Sequence, residues 1–174
     1  VPAQIRPGAV IVMESTDLNL VTAHKGSCRF QFATRGKCVH SSLVPKGENA
    51  IYKAAKLISA LEKYSIQMLA EEPHPLLGTN TLSVGTVHGG IQPSFVPDNC
   101  SFQINCRILP GETLETLTSK LKQALSPCGV KYEITNASFD AFPLETADSI
   151  PLVKIFRKTL ENMGMDSRTK GVPY

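Results

Sequence analysis

The chain has 174 residues, 42% of them hydrophobic and 6% aromatic, with 18 basic and 15 acidic residues for a formal charge of +3. That length suffices for one good hydrophobic core, or for one small domain joined to pieces of another. The mild, dispersed charge gives no reason to expect nucleic acid or an anionic membrane as partner, and the longest aliphatic runs fall far short of a bilayer span.

From the amino terminus, Val10, Ile11 and Val12 continue an apolar run that stops at Glu14. The run predicts a short buried strand with an acid at its carboxyl end, where ligands and metals collect in α/β proteins. Over residues 25–34 the period becomes two, with Cys28, Phe30 and Phe32 on one side and Ser27, Arg29 and Gln31 on the other. This is the pattern of a half-buried antiparallel strand. It runs out into Gly36-Lys37-Cys38-Val39-His40-Ser41-Ser42, with the turn residues Pro45 and Gly47 beyond. His40 is thus expected at a strand exit, held on ordered backbone yet able to reach another molecule.

Asn49 opens a helical stretch whose apolar face is Ile51, Ala54, Ala55, Ile58 and Leu61. After a proline-rich loop, residues 81–87 read as a second strand ending at Gly89 and Gly90. A third strand alternates cleanly, with Cys100, Phe102, Ile104, Cys106 and Ile108 inward and Ser101, Gln103, Asn105 and Arg107 outward, until Pro110 and Gly111 end it. Thr113 is placed to cap a helix with the stripe Leu114, Leu117, Leu121 and Leu125, and a fourth strand begins over residues 130–134. Ser149 and Pro151 then introduce an amphipathic helix through Leu152, Val153, Phe156, Leu160 and Met163, closed by Gly164.

Between about residues 20 and 139 the order is strand, helix, strand, strand, helix, strand. That is the split βαβ, ferredoxin-like α+β arrangement, a four-stranded antiparallel sheet with two helices on one face. Its open face carries polar groups such as Gln103, Asn105 and Arg107, which implies water or a partner there, although no stacking aromatics suit it to single-stranded RNA. The Glu14 strand and the last helix belong to neither end of this unit and are read as partial α/β segments of a second domain into which it is inserted. The expected division is 1–18, 19–140 and 141–174. The five cysteines, Cys28, Cys38, Cys100, Cys106 and Cys128, form an odd set without a CxxC or zinc-ligand spacing, so they are expected as buried, reduced thiols in a cytosolic protein. The start at Val1 and the end at Tyr174 read as the ends of a piece of a longer protein.

The string VIVMEST, the HKG at His24 to Gly26, GKCVHSS, the NAI at Asn49, the GG followed by VPD at Asp98, and RILPGE from Arg107 resemble, in order and spacing, the dimetal amidohydrolase family. That family includes acetylornithine deacetylase, succinyl-diaminopimelate desuccinylase, aminoacylase and glutamate carboxypeptidase. The resemblance implies the lid, or dimerisation, domain of a homodimeric hydrolase of N-acyl amino acids or small peptides, dependent on zinc or cobalt, with flanking fragments of the catalytic domain. The family's HxD motif, bridging aspartate, paired glutamates and carboxyl-terminal histidine have no counterpart in this sequence, so the isolated chain is expected to be inactive. By resemblance, Glu14 is a metal ligand, His40 crosses the dimer interface as an oxyanion donor in the partner's site, and Arg107 receives the substrate carboxylate. Ser94 stands where relatives commonly have asparagine and is expected to assist in substrate binding. His24, His74 and His88 are expected to be solvated or locally bonded. The alternative is a non-catalytic ferredoxin-like module that self-associates, with a binding or regulatory role and no need of Glu14 or His40.

Overall fold

The computed structural model describes residues 7–173. Strands β1 (Leu20–His24) and β2 (Gly26–Arg35) are separated by Lys25 alone, and α1 (Ala50–Leu69), β3 (Thr81–Gly89), β4 (Asn99–Ile108), α2 (Leu114–Leu125) and β5 (Glu133–Ala141) come next. The chain closes with β6 (Leu144–Glu145), α3 (Pro151–Asn162) and β7 (Thr169–Val172).

The alternation in β2 and β4 has the consequence the period requires. Both strands point their apolar residues to one face, and Cys28, Phe30, Phe32, Cys100, Phe102, Ile104, Cys106 and Ile108 are all buried there. Antiparallel register sets Phe32 opposite Phe102, with their rings stacked 4.9 Å apart at 4°. Onto this face α1 lays Ala54, Leu57, Leu61 and Met68, and α2 lays Leu117, Leu121 and Leu125, giving one continuous core. The four strands are ordered β3-β4-β2-β5, all antiparallel, which is the ferredoxin-like arrangement with β3 and β5 as edges.

The caps behave as their residues dictate. Asn49 Oδ1 accepts the amide of Tyr52 at 3.1 Å, and Thr113 and Thr116 exchange side-chain and backbone bonds at 3.2 and 3.0 Å at the start of α2. After α2 a 3-10 turn, Ser126–Cys128, ends at Gly129 with φ of 60°. The fourth strand of the sheet therefore starts at Glu133 instead of 130. Val130 and Tyr132 pack against the core before the ladder is joined.

A second, three-stranded sheet has the order β6-β1-β7, with β1 antiparallel to β6 and parallel to β7. The two sheets are linked covalently at Lys25 and through Phe142 and Pro143. A third link is made by the loop between α1 and β3. The buried ammonium of Lys25 donates to the Thr79 carbonyl, His74 Nε2 lies 3.1 Å from Glu145 on β6, and Asn80 Oδ1 accepts the amide of Leu109 at 2.8 Å. Burial lowers the Lys25 pKa.

The strand expected to end at Glu14 does not form. Residues 10–14 carry no regular structure, and their side chains are exposed, Met13 at 91%. The physical reason is pairing: β1 already has a neighbour on each side, β6 and β7, and among the described residues no further edge is joined to this apolar run. An apolar segment is a strand only when another strand accepts its backbone bonds.

Phe102 lies at the centre of the core, so Phe102→Ala is expected to reduce stability by about 3–5 kcal/mol, read from urea unfolding; an unchanged midpoint would contradict this placement.

Candidate functional site

At the end of β2 the chain crosses Gly36 into an extended stretch through Val39 and His40, turns through the 3-10 segment Ser41–Lys46, and returns to α1. Opposite it runs the connection from β3 to β4, which turns at Pro93 and Ser94. Backbone bonds zip the two together: Gly36 N–H to Asp98 at 2.7 Å, Val96 N–H to Val39 at 2.8 Å, Ser41 N–H to Ser94 at 2.8 Å, and Ala50 N–H to Pro97 at 2.8 Å. Gly36 is required by closeness, because a Cβ there would overlap the Glu48 carbonyl oxygen.

This zipper brings His40 and Ser94 together, although they are 54 positions apart in sequence. His40 pairs its backbone with Phe95, whose ring meets the imidazole edge-on with centroids 5.8 Å apart at 81°. The ring's Nδ1 accepts the Ser42 amide at 3.2 Å and lies 2.9 Å from Ser42 Oγ. A backbone N–H is only a donor, so Nδ1 is the unprotonated nitrogen of the neutral ring and Nε2 carries the hydrogen. His40 is exposed, and its Nε2 has no hydrogen-bond partner among the described residues. Ser94 is also exposed, its carbonyl engaged by Ser41. Beside them a shallow cleft of about 340 Å³ is lined by Cys38, His88, Phe95, Asp98 and Ser101.

Arg107 lies elsewhere. It is the penultimate residue of β4, between Ser27 on β2 and Thr81 on β3, and it is half-buried on the open face of the sheet. The eight-residue separation from Asn99, where β4 leaves the His40 loop, corresponds to about 26 Å at roughly 3.3 Å per residue. Glu14 is exposed beside a groove of about 450 Å³ between residues 10–22 and α3, lined by Val12, Leu20, Val153, Phe156 and Leu160. Among the described residues no three His, Cys, Asp or Glu side chains come together as a metal-binding group, and Glu14 has no companion ligand. These residues do not make a metal site by themselves. Of the other histidines, His24 Nδ1 lies 3.1 Å from the Lys25 carbonyl, His74 is bonded to Glu145 and to the Leu76 amide, and His88 is exposed on β3.

Sequence reasoning missed Ser42 and Phe95. The signal for Ser42 was present as a serine two positions after the histidine, a spacing at which its amide reaches Nδ1. Nothing local could have signalled Phe95. All five cysteines are free thiols; Cys28, Cys100 and Cys106 are buried as expected, whereas Cys38, on the loop after β2, is exposed and Cys128, in the turn after α2, is half-buried.

Residues 22–133 match the peptidase dimerisation domain of the M20 family. A probable carboxypeptidase of Aspergillus flavus is 37% identical over 114 residues, covering 63% of this chain and 27% of that protein. Acetylornithine deacetylase of Pectobacterium atrosepticum is 33% identical over 131 residues, covering 74% of this chain and 34% of the enzyme. In fold, the chain is similar to a tripeptidase from Staphylococcus aureus, with a TM-score of 0.68, 22% identity, and coverage of 90% of this chain and 40% of that one. It is likewise similar to an M20 family metallo-carboxypeptidase from Sulfolobus solfataricus, with a TM-score of 0.64, 18% identity, and coverage of 89% and 53%. The chain belongs to the M20 family of peptidases and deacetylases and carries its dimerisation domain. It spans about a third or less of the length of these two curated relatives.

Gly36→Ala is expected to push the two loops apart and cost about 1–3 kcal/mol, with faster amide exchange at Ser41 and Val96 in hydrogen-exchange measurements; unchanged protection would contradict the zipper.

Proposed function

We propose that the full-length protein is a cytosolic, zinc- or cobalt-dependent homodimeric hydrolase that cleaves the amide bond of N-acyl amino acids or small peptides. In this reading the chain supplies the lid, residues 19–140, with catalytic-domain segments on either side, and is inactive alone. One observation carries it: His40 and Ser94 stand at one end of the four-stranded sheet and Arg107 at the other. A substrate of amino-acid or dipeptide size is far shorter than that sheet. If all three groups serve one active site, they must come from two subunits, with Arg107 acting beside its own catalytic domain and His40 and Ser94 reaching into the partner's.

The roles rest on side-chain chemistry. The Arg107 guanidinium offers a planar fork to the substrate carboxylate. His40 Nε2–H donates to the oxygen that becomes negative when the scissile carbonyl turns tetrahedral, an interaction stronger in the transition state than in the ground state. Ser94 offers a short hydroxyl to the same substrate, leaving more room than the asparagine of relatives. Glu14 is one carboxylate of a metal centre whose other ligands lie outside this chain, and the metal would supply the activated water when bound.

Dimerisation through the lid is supported by the edge strand β3, the turn after it and the start of α1, where Val87, Ile91 and Tyr52 are exposed, Ile91 at 94%. An open strand edge flanked by apolar side chains calls for a covering partner.

The experiment is a screen of the full-length protein with metal added, against acetyl- and succinyl-amino acids and dipeptides. On the best substrate, His40→Ala should lower kcat by about a hundredfold to a thousandfold with a much smaller change in KM. Arg107→Lys should act mainly on KM, raising it roughly tenfold. A strictly monomeric solution mass for the active protein, or full activity of His40→Ala, would overturn the reading.

A further inference from the structure

The His40 ring has two neighbours at Nδ1, both from Ser42. The amide, at 3.2 Å, requires a lone pair on that nitrogen, whereas the hydroxyl, at 2.9 Å, can turn to donate as well. A hydrogen on Nδ1 would face the fixed amide hydrogen of Ser42. The backbone of His40 is pinned independently: it bridges to Phe95, and its carbonyl accepts the Leu43 amide at 2.8 Å. With the Phe95 ring edge-on against the imidazole, the ring is held in position, and its remaining nitrogen, Nε2, has no hydrogen-bond partner among the described residues.

The same clamp occurs a second time in this chain. His74 Nδ1 accepts the amide of Leu76, again two residues ahead, at 3.2 Å, and its Nε2 lies 3.1 Å from the Glu145 carboxylate. There the result is an Nε2–H donor aimed at a negative oxygen. His24 is arranged the other way, with Nδ1 facing the Lys25 carbonyl at 3.1 Å and therefore carrying the hydrogen. His40 and His74 thus meet a backbone amide at Nδ1 and His24 a backbone carbonyl, and the ring with the exposed Nε2, His40, has the arrangement that makes Nε2 the donor.

We propose that Ser42 is a positioning residue that holds His40 with Nδ1 as acceptor and Nε2–H as the outward donor, so that a neutral imidazole meets the developing oxyanion. The inference rests on the reading of His40 as the donor in trans. No proton is transferred; the ring donates a hydrogen bond and keeps its hydrogen.

The test is a double-mutant cycle in the full-length protein. Ser42→Ala keeps the backbone amide but removes the hydroxyl, and it should lower kcat about three- to tenfold, with KM within about twofold. Ser42→Thr should restore most of that loss. On a His40→Ala background, Ser42→Ala should cost nothing further, because its effect passes through the ring. Nitrogen-15 shifts of the histidine rings in the same protein should show a pyridine-type Nδ1 and a pyrrole-type Nε2 at His40. A silent Ser42→Ala, a loss that adds in full to that of His40→Ala, or a pyrrole-type Nδ1 would overturn the role of Ser42. A silent His40→Ala would instead overturn the reading of His40 itself, whatever the ring shifts show.

Discussion

Ten successive residue pairs join β2 to β4, from Gly26 opposite Ile108 to Arg35 opposite Asn99. This unbroken ladder is the constraint on which the other features depend. It places Phe30, Phe32, Phe102 and Ile104 on one face, which creates the surface that α1 and α2 must cover. It also fixes the distance between its two ends, and each end carries different chemistry. At one end β2 and β4 lead into the loops of His40 and Ser94. At the other stands Arg107, next to the junction with the second sheet. A rigid ruler of this kind is better suited to sharing residues between two subunits than to collecting them within one.

The loop end is held by backbone bonds more than by side chains. The links from Gly36 to Asp98, Val96 to Val39, Ser41 to Ser94 and Ala50 to Pro97 extend the order of the sheet beyond its last ladder pair. Exposed groups carried on such a framework lose little further freedom when they meet a ligand, which lowers the cost of binding. The opposite end is fastened differently, by the buried Lys25 ammonium at the Thr79 carbonyl and by the bond between His74 and Glu145. These contacts tie the four-stranded sheet and its helices to the three-stranded sheet.

Much of the fold was legible because the governing signals are local. Alternation in β2 and β4, the Asn49 and Thr113 caps, and the leucine stripe of α2 each report a neighbour two, three or four residues away. The apolar run before Glu14 misled for the complementary reason: a strand depends on a pairing partner that no local pattern encodes, and among the described residues none accepts this one. The small sheet was hidden likewise, since β6 has two residues and β7 pairs in parallel with a strand almost 150 positions earlier. His40, Ser94 and Arg107 were legible as individual candidates through their motifs. Their grouping was not, because it depends on which ends of β4 they occupy and on a loop pairing that spans 54 residues.

In the proposed dimer a complete active site draws His40 from one subunit and Glu14 and Arg107 from the other. The most direct measurement mixes two inactive full-length homodimers, His40→Ala and Glu14→Ala, under conditions that exchange subunits. Each mixed dimer would then hold one intact site and one doubly defective site, and random exchange of equal amounts should restore about a quarter of native activity. If His40 served its own subunit, every site in the mixture would remain defective and no activity would return.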